Sequence, residues 1–341
     1  MAINGIPTRV LLAPDKFKGR FSAGEVADAL ALGLVARGHA TDRCPVADGG
    51  EGTLDALGAA FGLDPLAAEV SDPLGRPTEA IFGLGDGGAA VIEMAAASGL
   101  AVVSEAERDA VTASTYGTGE LIAAAVDAGA SHVYVAAGGS ATTDGGAGAV
   151  RALHERGWSR SGVPVRLTVL CDVRTPFEQA ARVFGPQKGA TGDEVRLLSD
   201  RLARVARDFA RDPRGVPMTG AAGGLAGGLW SEFGAELVSG AVFVLNAIGY
   251  DARMRAARAV VTGEGRLDRT SLVGKAVSEV ATRARQAGVP CHAVVGANAL
   301  EPFDTRILDL QLVLEAGTLE QLQAAGAQIS ELLEREHDRA R

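Results

Sequence analysis

A short loop pattern, Asp-Gly-Gly-x-Gly, occurs twice in this chain, at Asp48–Gly52 and at Asp144–Gly148. Each copy follows an apolar, strand-like run and precedes a helical pattern. Consecutive glycines let the backbone turn so that several N–H groups face one anion. The helix that follows adds its N-terminal dipole. A third segment of the same character runs from Thr262 through Gly263, Glu264, Gly265, Arg266, Leu267 and Asp268 to Ser271, Gly274 and Lys275. In open parallel sheets, ligands bind beyond the carboxyl ends of the strands. Asp-Gly and Gly-Gly pairs are also ordinary turn formers, so one such loop says little. Three of them, each with an acid beside a hydroxyl or a base, point to a site.

Around these loops the sequence alternates strand and helix. Arg9–Ala13 reads as a strand. Ser22 with Glu25 three residues later forms a capping box for a helix reaching Val35, with Gly38 at its end. Ala40–Pro45 is the next strand, and Thr53 opens another helix. Near Asp72 the rhythm changes, and Thr78–Leu84 and Ala89–Met94 flank Asp86-Gly87-Gly88 as a hairpin. Strands follow at His132–Ala136 and Val165–Cys171, with helices at Leu121–Ala128, Ala147–Arg156 and Thr191–Asp212. The last third resumes the opening rhythm, with strands at Ala257–Thr262 and Cys291–Val295 and helices at Lys275–Gln286 and Thr318–Arg335. The expected fold is α/β in two domains. Residues 1–71 with 257–341 form a Rossmann- or flavodoxin-like parallel-sheet domain from both chain ends. Residues 72–256 form an inserted α/β domain with a mixed sheet.

The 341 residues carry a net charge of -9, which argues against nucleic-acid or membrane-surface partners. No signal peptide or membrane-spanning run is evident, so a cytoplasmic protein is expected. Cys44, Cys171 and Cys291 fall in or beside strands and read as buried, reduced thiols. The five histidines show no zinc spacing.

Two motif matches fail on context. Gly83-Leu84-Gly85-Asp86-Gly87-Gly88 satisfies the dinucleotide fingerprint, but a strand rather than a helix follows. Gly274-Lys275 matches the end of a phosphate-binding P-loop, but Ala276 replaces the required Ser or Thr. A further candidate is Asp15-Lys16-Phe17-Lys18-Gly19, where a lysine at a strand end can reach an anion. Lys188, in Phe184–Gly189, is another. Carboxylates beside a phosphate cradle call for a cation, and Mg²⁺ bridging phosphate oxygens supplies it. A carboxylate can also take the attacking hydroxyl's proton in phosphoryl transfer.

Taken together, the chain resembles the bacterial glycerate kinase family, which phosphorylates D-glycerate with ATP. The matching segments are Ala13–Gly19, Ala47–Thr53, Tyr116–Gly119, Gly138–Gly148, Val183–Ala190, Gly220–Leu229 and Thr262–Lys275, in family order over nearly the whole chain. The resemblance implies two α/β domains with the active site in the cleft between them, and a phosphoglycerate product, 2-phosphoglycerate being favoured. It implies ATP, Mg²⁺ and glycerate as partners and leaves room for a homodimer. On this reading, Gly49, Gly50, Gly138, Gly139 and Ser140 hold phosphate or glycerate oxygens, and Lys18, Arg266 and Lys275 neutralise anionic charge. Arg266 is the expected clamp for the glycerate carboxylate. Asp48, Asp144 and Asp268 share the Mg²⁺ and base roles. Asp15, Glu51, Thr53, Thr142, Lys188, Glu264 and Ser271 complete the substrate and phosphate contacts. The chain departs from the family in a stretch between Leu153 and Val165 that is shorter by roughly thirty residues. Arg174–Arg182 is also compressed, and position 143 is Thr where the family usually has Asn. Two other readings stand beside this one: a kinase of another small hydroxy acid, and a non-catalytic sensor of a phosphorylated metabolite. A nicotinamide-dependent dehydrogenase rests on the misplaced fingerprint alone.

Overall fold

The computed structural model describes residues 2–3, 6–7, 9–272 and 274–339. They fall into two compact units, residues 1–47 with 244–341 and residues 48–243. The first unit begins with strand β1 (Arg9–Pro14), helix α1 (Ala23–Val35) and strand β2 (Ala40–Arg43). The Ser22–Glu25 capping box forms as its sequence predicts, the Ser22 hydroxyl accepting from the Glu25 amide and the Glu25 carboxylate from the Ser22 amide. Such a cap stabilises a helix by about 1 kcal/mol. Val26, Leu30 and Leu34 recur at four-residue spacing and are fully buried against Val10 and Leu12 of β1.

The second unit begins with α2 (Thr53–Phe61), β3 (Leu63–Ser71), β4 (Pro77–Gly85) and β5 (Ala89–Glu93). Then come α3 (Tyr116–Asp127), β6 (His132–Ala136), α4 (Ala147–Glu155), β7 (Arg166–Cys171) and α5 (Gly192–Asp208). The unit closes with α6 (Leu225–Phe233) and β8 (Glu236–Ser239). Its sheet runs β8-β7-β6-β5-β4-β3. The four strands β5 to β8 are parallel, and the β3–β4–β5 meander is antiparallel, so the sheet is mixed. The Gly83–Gly88 fingerprint match spans the end of β4 and the turn into β5, which excludes a helix there.

Helix α7 (Gly240–Ala247) carries the chain back to the first unit. There β9 (Ala259–Gly263), α8 (Ala276–Ala287), β10 (Cys291–Val295), β11 (Leu310–Glu315) and α9 (Leu319–Arg339) complete it. Its five-stranded sheet is all parallel in the order β11-β10-β9-β1-β2, beside a short antiparallel pair of Ala2–Ile3 with Ile6–Pro7. Counted along the chain within this sheet the order is 2-1-3-4-5, the flavodoxin-type arrangement.

The unit boundaries differ from those read off the sequence. Residues 48–71 fall in the second unit, where β3 pairs with β4, and residues 244–256 fall in the first. The sequence reading missed β3, an edge strand that accommodates Pro65 and lacks clean alternation. It also missed β8 and β11. All three cysteines are buried and free, and burial pushes the Cys44 and Cys291 thiols up to about 11 and about 12. No helix among the described residues is long and apolar enough to cross a membrane.

Candidate active-site loops

In the second unit the Asp48–Gly52 loop lies against the carboxyl ends of the parallel strands. The Gly138 amide, just beyond β6, donates to the Gly49 carbonyl at 3.0 Å. Contact here is backbone on backbone. A Cβ on Gly138 would stand 2.6 Å from the Gly50 Cα, and one on Gly49 2.8 Å from the Leu170 carbonyl of β7. Only glycine permits that approach, which is the physical content of the Asp-Gly-Gly pattern at this position. Thr53 opens α2 and donates its hydroxyl to the Gly50 carbonyl at 2.6 Å. Around these glycines stand carboxylates: Asp48 beside Gly50, Glu51 beside Gly139, and Asp172 beside Gly138. The sequence reading missed Asp172. It follows β7 directly, and the strand-end logic applied to the other loops would have selected it.

The second Asp-Gly-Gly copy is built differently. Asp144 is 7% exposed, and its carboxylate accepts from the Thr115 amide and hydroxyl, the Gly146 amide and the Gly148 amide at 2.8–3.1 Å. It therefore fastens the start of α4 to the start of α3. Lys188 is 1% exposed, and its ammonium donates to the Ser140 hydroxyl at 2.8 Å and the Thr142 carbonyl at 2.5 Å. Burial pushes its pKa down to about 7, against the opposing pull of Asp144 and Asp172. Lys188 thus braces the Gly138–Gly146 loop from within. The Thr142 and Thr143 hydroxyls are buried there without a hydrogen-bond partner among the described residues.

In the first unit the candidates gather where the strand order reverses, between β1 and β9. The Asp15 amide donates to the Gly263 carbonyl at 2.8 Å, and the Asp15 carboxylate accepts from the Lys16 amide. The Thr262 hydroxyl donates to the Ala13 carbonyl. Gly265 lies against the Lys18 backbone. Lys275, which precedes α8, is 3.4 Å from the Glu264 carboxylate, itself 7% exposed. Asp268 accepts from the Thr270 amide and hydroxyl, and its own amide donates to the Ser271 hydroxyl. Partial burial works to raise its pKa. Those hydrogen bonds, with Lys275 and Arg266 nearby, outweigh it and hold the carboxyl below the usual range. Arg266 is 67% exposed and reaches Asp268 at 3.4 Å.

The structure thus sorts the nominated acids. Asp144 spends its oxygens on Thr115 and the amides of its own loop, and Asp268 spends its on Thr270 and Arg266. The Asp48 carboxylate makes no hydrogen bond or ion pair among the described residues. No group of three acidic, His or Cys side chains among those residues is close enough to form a metal cage by itself.

Comparison with known proteins converges on one family. The family model described as the glycerate kinase family matches residues 10–165 and 157–340. Its two spans meet at residues 157–165, within the stretch between α4 and β7 that the sequence reading found short. The chain is 40% identical to a glycerate kinase of Bacillus subtilis over 328 residues, covering 85% of each chain. It is 38% identical over 324 residues to a protein named glycerate 2-kinase from Escherichia coli, again covering 85% of each. A crystal structure provisionally named glycerate kinase 2 from Salmonella typhimurium superposes with a TM-score of 0.80 at 33% identity, covering 97% of this chain and 100% of that one.

Proposed function

The chain belongs to the glycerate kinase family, and on that premise we propose that it transfers the γ-phosphoryl group of ATP to a hydroxyl of D-glycerate. The observation that carries this reading is the meeting of two glycine loops in the second unit, with Asp48 beside them and its carboxylate uncommitted. Phosphoryl transfer asks mainly for positioning and charge neutralisation. The amides of Gly50, Gly139 and Ser140 have no protein acceptor among the described residues and suit anionic oxygens.

Asp48 takes the proton of the attacking hydroxyl or holds the metal. Asp144 and Lys188 act as positioning residues for the Gly138–Gly146 loop. Lys18, Arg266 and Lys275 in the first unit carry the positive charge that phosphate groups require. Mg²⁺ fits the hard-oxygen chemistry of Asp48, whose carboxylate is uncommitted beside the glycines, and would complete its shell with phosphate oxygens and water. When bound it neutralises phosphate charge.

The name of the Escherichia coli relative supports 2-phosphoglycerate as the product. The reading is tested by coupled ADP release with D-glycerate, L-glycerate and other small hydroxy acids. Release with D-glycerate at the highest kcat/KM is expected. Preference for another hydroxy acid would reassign the substrate, and no release with any would favour a sensor.

A further inference from the structure

Arg108 lies between the turn Glu105–Glu107 and α3, and sequence reasoning gave it no role. Its Nε is fully buried without a hydrogen-bond partner, and its guanidinium makes no ion pair among the described residues. The acids on either side do not compensate it. Glu107 is taken by Arg76 and Ser104, and Asp109 accepts from the amides of Val111 and Thr112. Arg211 also has a buried, unpartnered Nε, but it bonds the Trp230 carbonyl and lies over the Trp230 ring. Arg108 has no such substitute.

Arg108 and the buried Lys188 line one enclosed niche with Glu107, Asp109 and, from the glycine loop, Ala141, roofed by Leu100 and Val103. Gly189 sets the Lys188 turn against Arg108. The hydrogen-bond partners of Lys188 are both neutral, and Glu107 and Asp109, which also line the niche, make their hydrogen bonds elsewhere. A buried guanidinium nitrogen without an acceptor is costly, and an arriving anion removes that cost. The niche adjoins Ser140, next to the Gly139 that abuts Glu51. It has no room for a water molecule, so binding of an anion requires the niche to widen.

We propose that Arg108, beside the Lys188–Ser140 pair, anchors the carboxylate of the hydroxy-acid acceptor. The role that sequence gave to Arg266 then passes to Arg108, because Arg266 is exposed and partnered by Asp268. The inference rests on the glycerate kinase reading. A phosphate of the nucleotide would satisfy the same two cations, and the test separates the two sources.

The experiment measures KM for D-glycerate and for ATP, kcat, and melting temperature for wild type, Arg108→Met and Arg108→Lys. It adds glyceramide, the uncharged analogue, as a second acceptor. Loss of a charge-assisted hydrogen bond is expected to raise the D-glycerate KM about 10- to 100-fold in Arg108→Met. KM for ATP and kcat/KM for glyceramide should stay within about twofold. Arg108→Lys should recover part of the loss. Because Arg108 has no partner in the free protein, its removal should leave the melting temperature unchanged or raise it. An ATP KM that rises while the glycerate KM does not would assign Arg108 to the nucleotide and overturn the proposal. Unchanged constants with a lowered melting temperature would make it structural and overturn it equally. Wild type that releases no ADP with D-glycerate would instead overturn the functional reading, and this inference with it.

Discussion

The glycine loops of the two units reach similar sequences by different physics. In the second unit, Asp48–Gly52 and Gly138–Gly146 are locked by backbone contact, by the four bonds to Asp144 and by a buried lysine. In the first unit, Arg266, Asp268 and Lys275 present exposed or half-buried charges, paired within the same loop, Lys275 with the buried Glu264. A buried, cross-braced loop fixes atoms within tenths of an ångström, and each brace removed leaves a desolvated group unpaired. An exposed loop supplies charge that water and salt screen. The first arrangement suits the positioning of reacting atoms, and the second suits the gathering of anions.

That difference can be broken at several places. The largest effect is expected at Asp48. Asp48→Asn should lower kcat by about 10³-fold, in the range lost with a positioned general base. It should leave the melting temperature within about 2 °C, since its carboxylate bonds nothing in the free protein. Steady-state kinetics beside a thermal melt checks both. Asp144→Asn should do the reverse in character. Disturbing four buried hydrogen bonds should cost about 3 kcal/mol of stability, read by urea unfolding. Activity should fall with it, because α3 and α4 lose their common fastening.

The units should also respond to pH in separate windows. Burial lowers the His292 pKa to about 4, and neither ring nitrogen has a partner among the described residues. The unfolded chain therefore binds a proton that the folded one refuses. The resulting stability is full above about pH 6.5 and is lost as pH falls towards 4, by up to about 3 kcal/mol. Lys188, depressed to about 7, acts higher: stability should rise from about pH 7 as the unfolded lysine still holds its proton. Melting temperatures across pH, with His292→Leu flattening the acid slope and Lys188→Met the alkaline one, test the assignment. The smallest effect belongs to the exposed loop. Arg266→Met should raise one KM by about tenfold and weaken the salt dependence of kcat/KM, with little change in kcat or stability.

Much of this was legible in the sequence because it depends on local pattern. Capping at Ser22, the turn at Asp86–Gly88 and the strand-end position of the glycine loops follow from neighbours a few residues apart. The flavodoxin-type order gave the Asp15–Lys18 and Glu264–Asp268 loops their common place at the β1–β9 reversal. What escaped depends on distant contacts. Asp144 and Asp48 share the same motif, and nothing local reveals that Thr115 occupies one carboxylate while the other is uncommitted. Lys188 reads like any surface lysine until its burial under Ser140 and Thr142 is seen. Arg108 has no sequence signal, since its isolation arises from acids that turn elsewhere.

The reaction proposed for this chain moves phosphate from ATP to the 2-hydroxyl of D-glycerate. Phosphorus NMR of the product formed from ATP, Mg²⁺ and D-glycerate tests it most directly. ADP and 2-phosphoglycerate in equal amounts are expected. A resonance from 3-phosphoglycerate would contradict the regiochemistry, and ATP left intact beside unmodified glycerate would contradict the function.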